Sequence, residues 1–198
     1  MNHMRKEKKY NYKVEPLSVS SKRIYYELGF KDEDIPFSLV NVNVLRAGTV
    51  ISGIGVENPQ GGVEFVSADF TRPSYSIGEI SPLRLYCNDK YNRTETCCVF
   101  YDILDYLAYI FIRKIHMFGV PNDADCFIMS SSKNYHQLVV ETDVYKKILL
   151  FLPKDVFGRT MSLSIQKRNP THVINCDFYY GNLTNLFDFM KTIKTYPL

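Results

Sequence analysis

The sequence has no tryptophan, no long apolar run, no CxxC or HxxxH spacing and no apolar segment behind its first residues. Its greasiest stretch, Tyr101 to Met117, is interrupted by Asp102, Asp105, Arg113 and Lys114. It therefore falls short of the roughly 18 to 20 uncharged apolar residues that a membrane span requires. Met1 to Tyr10 is polar and basic, which argues against a secretory signal and for a cytoplasmic protein without a membrane partner. The five cysteines (Cys87, Cys97, Cys98, Cys126, Cys176) include an adjacent pair that a strand points to opposite faces. A shared structural zinc is thereby disfavoured, and small buried thiols in a reducing compartment are expected. His3, His116, His136 and His172 are dispersed and none stands in a motif with a carboxylate or a cysteine, so neither a catalytic triad nor a histidine-based metal site is indicated.

What is present is a chain of 198 residues that is 45% apolar and carries a formal charge of +3. That is enough apolar content to close a core. The charge is unevenly placed. Residues 1–23 carry seven basic side chains against two acids, a net of +5. Residues 24–146 carry ten bases and sixteen acids, net −6, and residues 147–198 carry seven bases and three acids, net +4. A basic arm and a basic last quarter flank an acidic middle, which points to phosphate as a partner of the two ends, while the arm reads equally as a solvated tail.

Periodicity divides the chain into an arm (1–19), a small α+β module (20–95) and an α/β domain (96–198). In the module, Ser20 or Ser21 caps a helix over Lys22 to Leu28 that Gly29 stops. Val40 to Leu45, Thr49 to Val56 and Val63 to Ala68 read as strands of a small antiparallel sheet, with Asn58 to Gly62 as a hairpin turn. From Thr96 onward, short apolar runs alternate with amphipathic ones. The strands are Cys97 to Tyr101, Cys126 to Ser130, Ile148 to Leu152 and Val173 to Cys176. The helices are Asp102 to Ile115, Tyr135 to Tyr145, Phe157 to Gln166 and Leu183 to Ile193. Such alternation predicts a sheet of about four mainly parallel strands flanked by helices, with ligands at the carboxyl ends of the strands.

The residues that follow those strands carry a resemblance. Cys98-Val99-Phe100-Tyr101-Asp102-Ile103-Leu104-Asp105 resembles the first motif of toprim-like, primase-type proteins, in which a strand ends in Glu-Gly and an Asp follows three residues later. Ile148 to Leu152 followed by Pro153-Lys154-Asp155 and Gly158 resembles the second, a buried strand ending in Asp-x-Asp with a Gly shortly after. The strand Asp125 to Ser132 is similar to the one between them. Gly55 to Phe65, with Asn58-Pro59-Gln60-Gly61-Gly62 and Glu64, is similar to an upstream signature found in toprim-like proteins of bacterial mobile elements.

The resemblance implies a Glu acting as general acid or base and Asp-x-Asp carboxylates holding Mg²⁺. In this chain the Glu position is Tyr101, the Gly is Asp102 and the first Asp of the pair is Pro153. Tyrosine titrates near pH 10 and proline has no side-chain oxygen. Asp105 and Asp155 alone match, as metal ligands of reduced capacity. The expectation is a pseudo-enzyme needing no cofactor, a DNA-associated accessory factor in replication or mobilisation of a mobile element alongside the proteins of that machinery. Arg5, Lys6, Lys8, Lys9 and Arg23, with Lys154, Arg159, Lys167 and Arg168, are its expected phosphate contacts, and Tyr25-Tyr26 and Tyr179-Tyr180 stack on bases if exposed. Two alternatives stand beside it. One is a divergent Mg²⁺-dependent nuclease or nucleotidyl transferase using Asp102, Asp105 and Asp155, which requires those carboxylates to converge. The other is a protein-interaction module with no nucleic-acid role. Ser130 to Lys133 reads as a turn, with a phosphate loop as the second reading.

Overall fold

The computed structural model describes residues 12–27, 30–36, 38–68, 74–85, 87, 93–115 and 123–195. The chain forms two compact units, Met1–Ile80 and Ser81–Leu198.

The first unit is an antiparallel sheet in sequential order: β1 (Tyr12–Pro16), β2 (Leu39–Arg46), β3 (Thr49–Glu57), β4 (Val63–Ser67) and β5 (Tyr75–Ile77). The alternation in β2 is used as a half-buried strand uses it. Val42 and Val44 join Val63, Phe65 and Ile77 in the core, while Asn43 faces away and accepts a hydrogen bond from Ser52 at 2.7 Å. Residues 12–16, expected within a solvated arm, instead form the edge strand, with Val14 opposite Val42. The helix α1 spans Val19–Glu27. Its cap is Ser18, whose Oγ accepts from the Ser21 N–H at 3.2 Å, ahead of the serines expected. The predicted stop at Gly29 lies outside the described residues.

In the second unit the strands β6 (Leu83–Leu85), β7 (Thr96–Phe100), β8 (Asp125–Ile128), β9 (Lys147–Phe151) and β10 (Val173–Asn175) assemble in the order β10-β9-β7-β8-β6. The three pairings among β7 to β10 are parallel, and β6 adds an antiparallel edge ahead of the boundary expected at residue 96. The sheet is thus the predicted mainly parallel one with a fifth strand. The helices are α2 (Ile103–Lys114), α3 (Tyr135–Thr142), α4 (Val156–Arg168) and α5 (Leu186–Thr195).

The connection from β7 to β8 runs one way along the sheet, and those from β8 to β9 and β9 to β10 run the other way. Right-handed crossovers then place α2 on one face and α3 and α4 on the other. Packing agrees. Cys97, Val99, Phe127, Ile148 and Leu150 meet Leu138 and Val139 of α3 and Met161 and Ile165 of α4. On the opposite face Phe100 stacks on Phe151 (5.4 Å between centroids) and both pack against Tyr109 of α2, with α5 alongside α2. Continuous apolar strands follow from this two-sided burial. Cys97, Cys98, Cys126 and Cys176 are buried as expected, while Cys87 is exposed. Asp125, 1% exposed at the start of β8, is held by the Tyr145 hydroxyl (2.8 Å) and the Cys87 N–H (2.9 Å).

Candidate functional site

The chain leaves β7 toward β8 and leaves β9 toward β10. The carboxyl ends of β7 and β9 therefore flank the point where the winding direction reverses, the place where ligands bind in open α/β sheets. Residues 101–105 and 152–158 stand there.

Tyr101 packs its ring on the α3/α4 side of the sheet. Its half-buried ring packs edge-on against Phe157 of α4, with centroids 5.4 Å apart, and joins the core on the α3/α4 face. Its carbonyl accepts from the Ser130 N–H at 2.9 Å. Asp102 is the N-cap of α2, in extended conformation with its carboxylate on the Asp105 N–H at 3.0 Å. A Gly at this position would have no side chain to cap with.

Asp105 is 3% exposed. Its Oδ1 accepts from the Phe187 N–H at 3.0 Å, and its carboxyl also faces the Leu186 N–H. A carboxylate in the first turn of α2 thus caps the start of α5. Burial pushes its pKa well above the ordinary carboxylate range, and the charge of Asp102 adds to the push; the two N–H groups oppose it.

On the β9 side, Pro153 stands beneath the first turn of α4. A Cβ on Gly158 would fall on the Pro153 carbonyl oxygen, so only glycine fits that close approach. Asp155 is the N-cap of α4 and accepts from the Gly158 N–H at 2.7 Å. Its neighbour Lys154 donates through its main chain to the Thr184 carbonyl at 2.7 Å and through Nζ to the Gly181 carbonyl.

The three carboxylates expected to converge on Mg²⁺ therefore serve three different helix starts: Asp102 that of α2, Asp105 that of α5 and Asp155 that of α4. Among the described residues no group of three or more His, Cys, Asp or Glu side chains could hold a metal ion. Together with Tyr101 and Pro153, this donor set does not fit the octahedral, oxygen-rich shell that Mg²⁺ demands. Asp102, Asp105 and Asp155 are not gathered into a metal-holding group among the described residues.

The expected phosphate contacts are also separated. Lys154 and Arg159 line one cleft of about 450 Å³ with Asp155 and residues 181–184. Lys167 and Arg168 lie in the last turn of α4, about 13 Å further along the helix axis. Arg168 grips Asp143 through Nε (3.1 Å) and a terminal nitrogen (2.7 Å), and holds that carboxyl below its usual range. Arg23 pairs with Glu27 one turn along α1. Arg5, Lys6, Lys8 and Lys9 lie outside the described residues.

The aromatic pairs do not present two free faces each. Tyr25 and Tyr180 are 0% and 1% exposed. Tyr26 is tied to Asp32 through its hydroxyl at 2.8 Å, and Tyr179 stacks on Phe151. Both readings of 130–133 centre on a turn: Ser130 has φ +60°, and the Ser131 hydroxyl accepts from the Lys133 N–H at 3.3 Å. In the first unit, Asn58 organises its turn by accepting from the Gln60 and Gly62 N–H groups, each at 3.0 Å, and donating to the Glu79 carbonyl at 2.6 Å. Glu64, 2% exposed, accepts from the hydroxyls of Ser74 and Ser76.

Sequence reasoning missed the helix-capping use of Asp105. Its only signal was an Asp inside an otherwise apolar helix, which marks a buried carboxylate that needs a donor.

No protein-family model matches the chain, and no curated protein matches it. Among solved structures, it is similar to the primase fragment of the bacteriophage T7 primase-helicase protein, at 10% identity. That likeness covers 94% of this chain and 73% of that one, with a TM-score of 0.50. A second likeness is to primase domains in complex with bacteriophage T7 lagging-strand DNA polymerase, at 11% identity. It covers 84% of this chain and 80% of that one, with a TM-score of 0.44. The fold, an antiparallel sheet followed by a mostly parallel one with flanking helices, is similar to that of the primase fragment. No helix among the described residues is long and apolar enough to cross a membrane.

Proposed function

We propose that this chain is a catalytically degenerate toprim-like protein that associates with DNA as an accessory factor in the replication or mobilisation of a mobile element. The observation that carries the reading is the state of the β7/β9 crevice. Tyr101 and Pro153 stand where a Glu and an Asp are needed, and the remaining carboxylates are engaged with helix N-termini. A fold similar to a primase fragment supports the association with replication only as a fold. The basic arm, Arg5 to Lys9, supplies part of the phosphate contact in this reading, ahead of the α+β and α/β units.

The test is paired. Purified protein with Mg²⁺ or Mn²⁺ is assayed for primer synthesis and for strand cleavage, and separately for binding a single-stranded oligonucleotide across a range of salt. The expected outcome is no turnover with either metal, together with sequence-independent binding that weakens steeply as salt rises. Turnover that Asp155→Asn abolishes, or no binding even at low salt, would overturn the reading.

A further inference from the structure

We infer that the cleft between the β9–α4 connection and the loop before α5 is a phosphate-binding subsite, with Lys154 and Arg159 as its ligands and the backbone of single-stranded nucleic acid as its occupant. The inference rests on the DNA-associated reading above and names the place on the second unit where the strand is held.

The cleft has a volume of about 450 Å³ and contains two cations and one acid. The single acid, Asp155, already has Oδ1 on the Gly158 N–H at 2.7 Å. Lys154 is positioned rather than neutralised: its Nζ donates to a carbonyl, that of Gly181, and its main chain is tied to Thr184. Gly181 has φ +57° and ψ −119°, a conformation that glycine alone adopts readily. A carbonyl acceptor fixes an ammonium without cancelling its charge and leaves it two further protons to donate.

Arg159 lies in the second turn of α4, and its exposed guanidinium makes no hydrogen bond or ion pair among the described residues. Five donors in a planar fork match two oxygens of one phosphate. The contrast within the same helix is direct, because Arg168 near its other end is already saturated by Asp143. With Asp155 counted, the cleft carries a net charge of +1, the complement of one phosphodiester. The fold places this charge at the carboxyl end of β9, beside the crevice where the sheet's winding reverses. The occupant is a strand because the reading it deepens is DNA association; free nucleotide shares the phosphate chemistry and is separated by the experiment.

The variants are Arg159→Gln, which alters only an exposed side chain with no hydrogen bond or ion pair among the described residues, and Lys154→Gln, which keeps a donor toward Gly181. Lys146→Gln, at an exposed lysine just before the amino end of β9 that pairs with Glu95, is the control. Binding of a fluorescent single-stranded oligonucleotide and of ATP is measured by anisotropy and calorimetry on the full chain at several salt concentrations, with thermal unfolding as the check on folding. Each removed cation is expected to weaken oligonucleotide binding about tenfold at low salt and to lower the log–log salt slope by roughly 0.7. Lys146→Gln leaves both unchanged.

Oligonucleotide binding by wild type that persists in Arg159→Gln with the same slope would sink the subsite and leave DNA association standing. Loss of ATP binding in the variants with oligonucleotide binding intact would also overturn it, since the cleft would then serve free nucleotide. No oligonucleotide binding by wild type would remove the reading on which the inference rests.

Discussion

Asp105 is a buried carboxyl whose hydrogen-bond donors come from the backbone of another helix. It lies in the first turn of α2, and the groups that face it belong to the start of α5. A helix start leaves several N–H groups without partners, and a negative charge there is favourable. Burial works in the opposite direction and dominates, so the pKa in the folded chain lies above the unfolded value of about 3.9. Between those two values the folded chain binds more protons than the unfolded one. The stability this group contributes is fully present below about pH 4 and is lost as pH rises through the folded value. Asp105→Asn keeps an acceptor for Phe187 and cannot ionise. Relative to wild type, its unfolding free energy is expected to increase as pH rises above about 4, and to level off once pH has passed the folded value, in urea titrations. Asp105→Ala leaves the Phe187 N–H without an acceptor and is expected to cost about 1–3 kcal/mol. Equal effects of Asn and Ala at all pH values would show that the cap is not what Asp105 supplies.

At the scale of elements, the connection from β9 into α4 is tightly constrained. Pro153 packs its carbonyl against the first helical turn, Asp155 caps that turn, and Gly158 makes room. An Ala at a helix position ordinarily gains about 1 kcal/mol over Gly. At position 158 the added methyl meets backbone, so Gly158→Ala is expected to destabilise the chain by about 1–3 kcal/mol, read from the urea midpoint. A rise in the midpoint would mean that the close approach is not there.

The long elements were legible because each has a single period. Val40 to Leu45 alternates and became β2, and Asp102 to Ile115 became α2 with Asp102 as its cap. Tyr12–Pro16, Tyr75–Ile77 and Leu83–Leu85 were not legible. A run of three to five residues shows no period, and these become strands only because a neighbouring edge supplies hydrogen bonds. The order β10-β9-β7-β8-β6 likewise depends on contacts distant in sequence. Of the site, the identities of Tyr101 and Pro153 at the ends of β7 and β9 could be read directly from the residues. The use of Asp102, Asp105 and Asp155 as helix caps required their three-dimensional partners.

At the scale of the whole molecule, the charge that reads as +4 over residues 147–198 is not one patch. Lys154 and Arg159 share a cleft at the carboxyl end of the sheet. Lys167 and Arg168 lie at the other end of α4, where Arg168 is neutralised by Asp143. Sequence sums cannot distinguish a concentrated charge from a divided one, and the division is what limits the predicted phosphate contact to one cleft on this unit. The same three-dimensional sorting applies to the acids: a metal centre needs them gathered, and the fold distributes them to α2, α4 and α5. The most direct measurement of that claim is calorimetric titration of Mg²⁺ and of Mn²⁺ into wild-type protein and into Asp155→Asn, in which Asn preserves the helix cap. No saturable heat in the millimolar range, and no metal-dependent rise in the unfolding temperature of either protein, is the predicted result. Saturable binding by wild type that Asp155→Asn abolishes would contradict it.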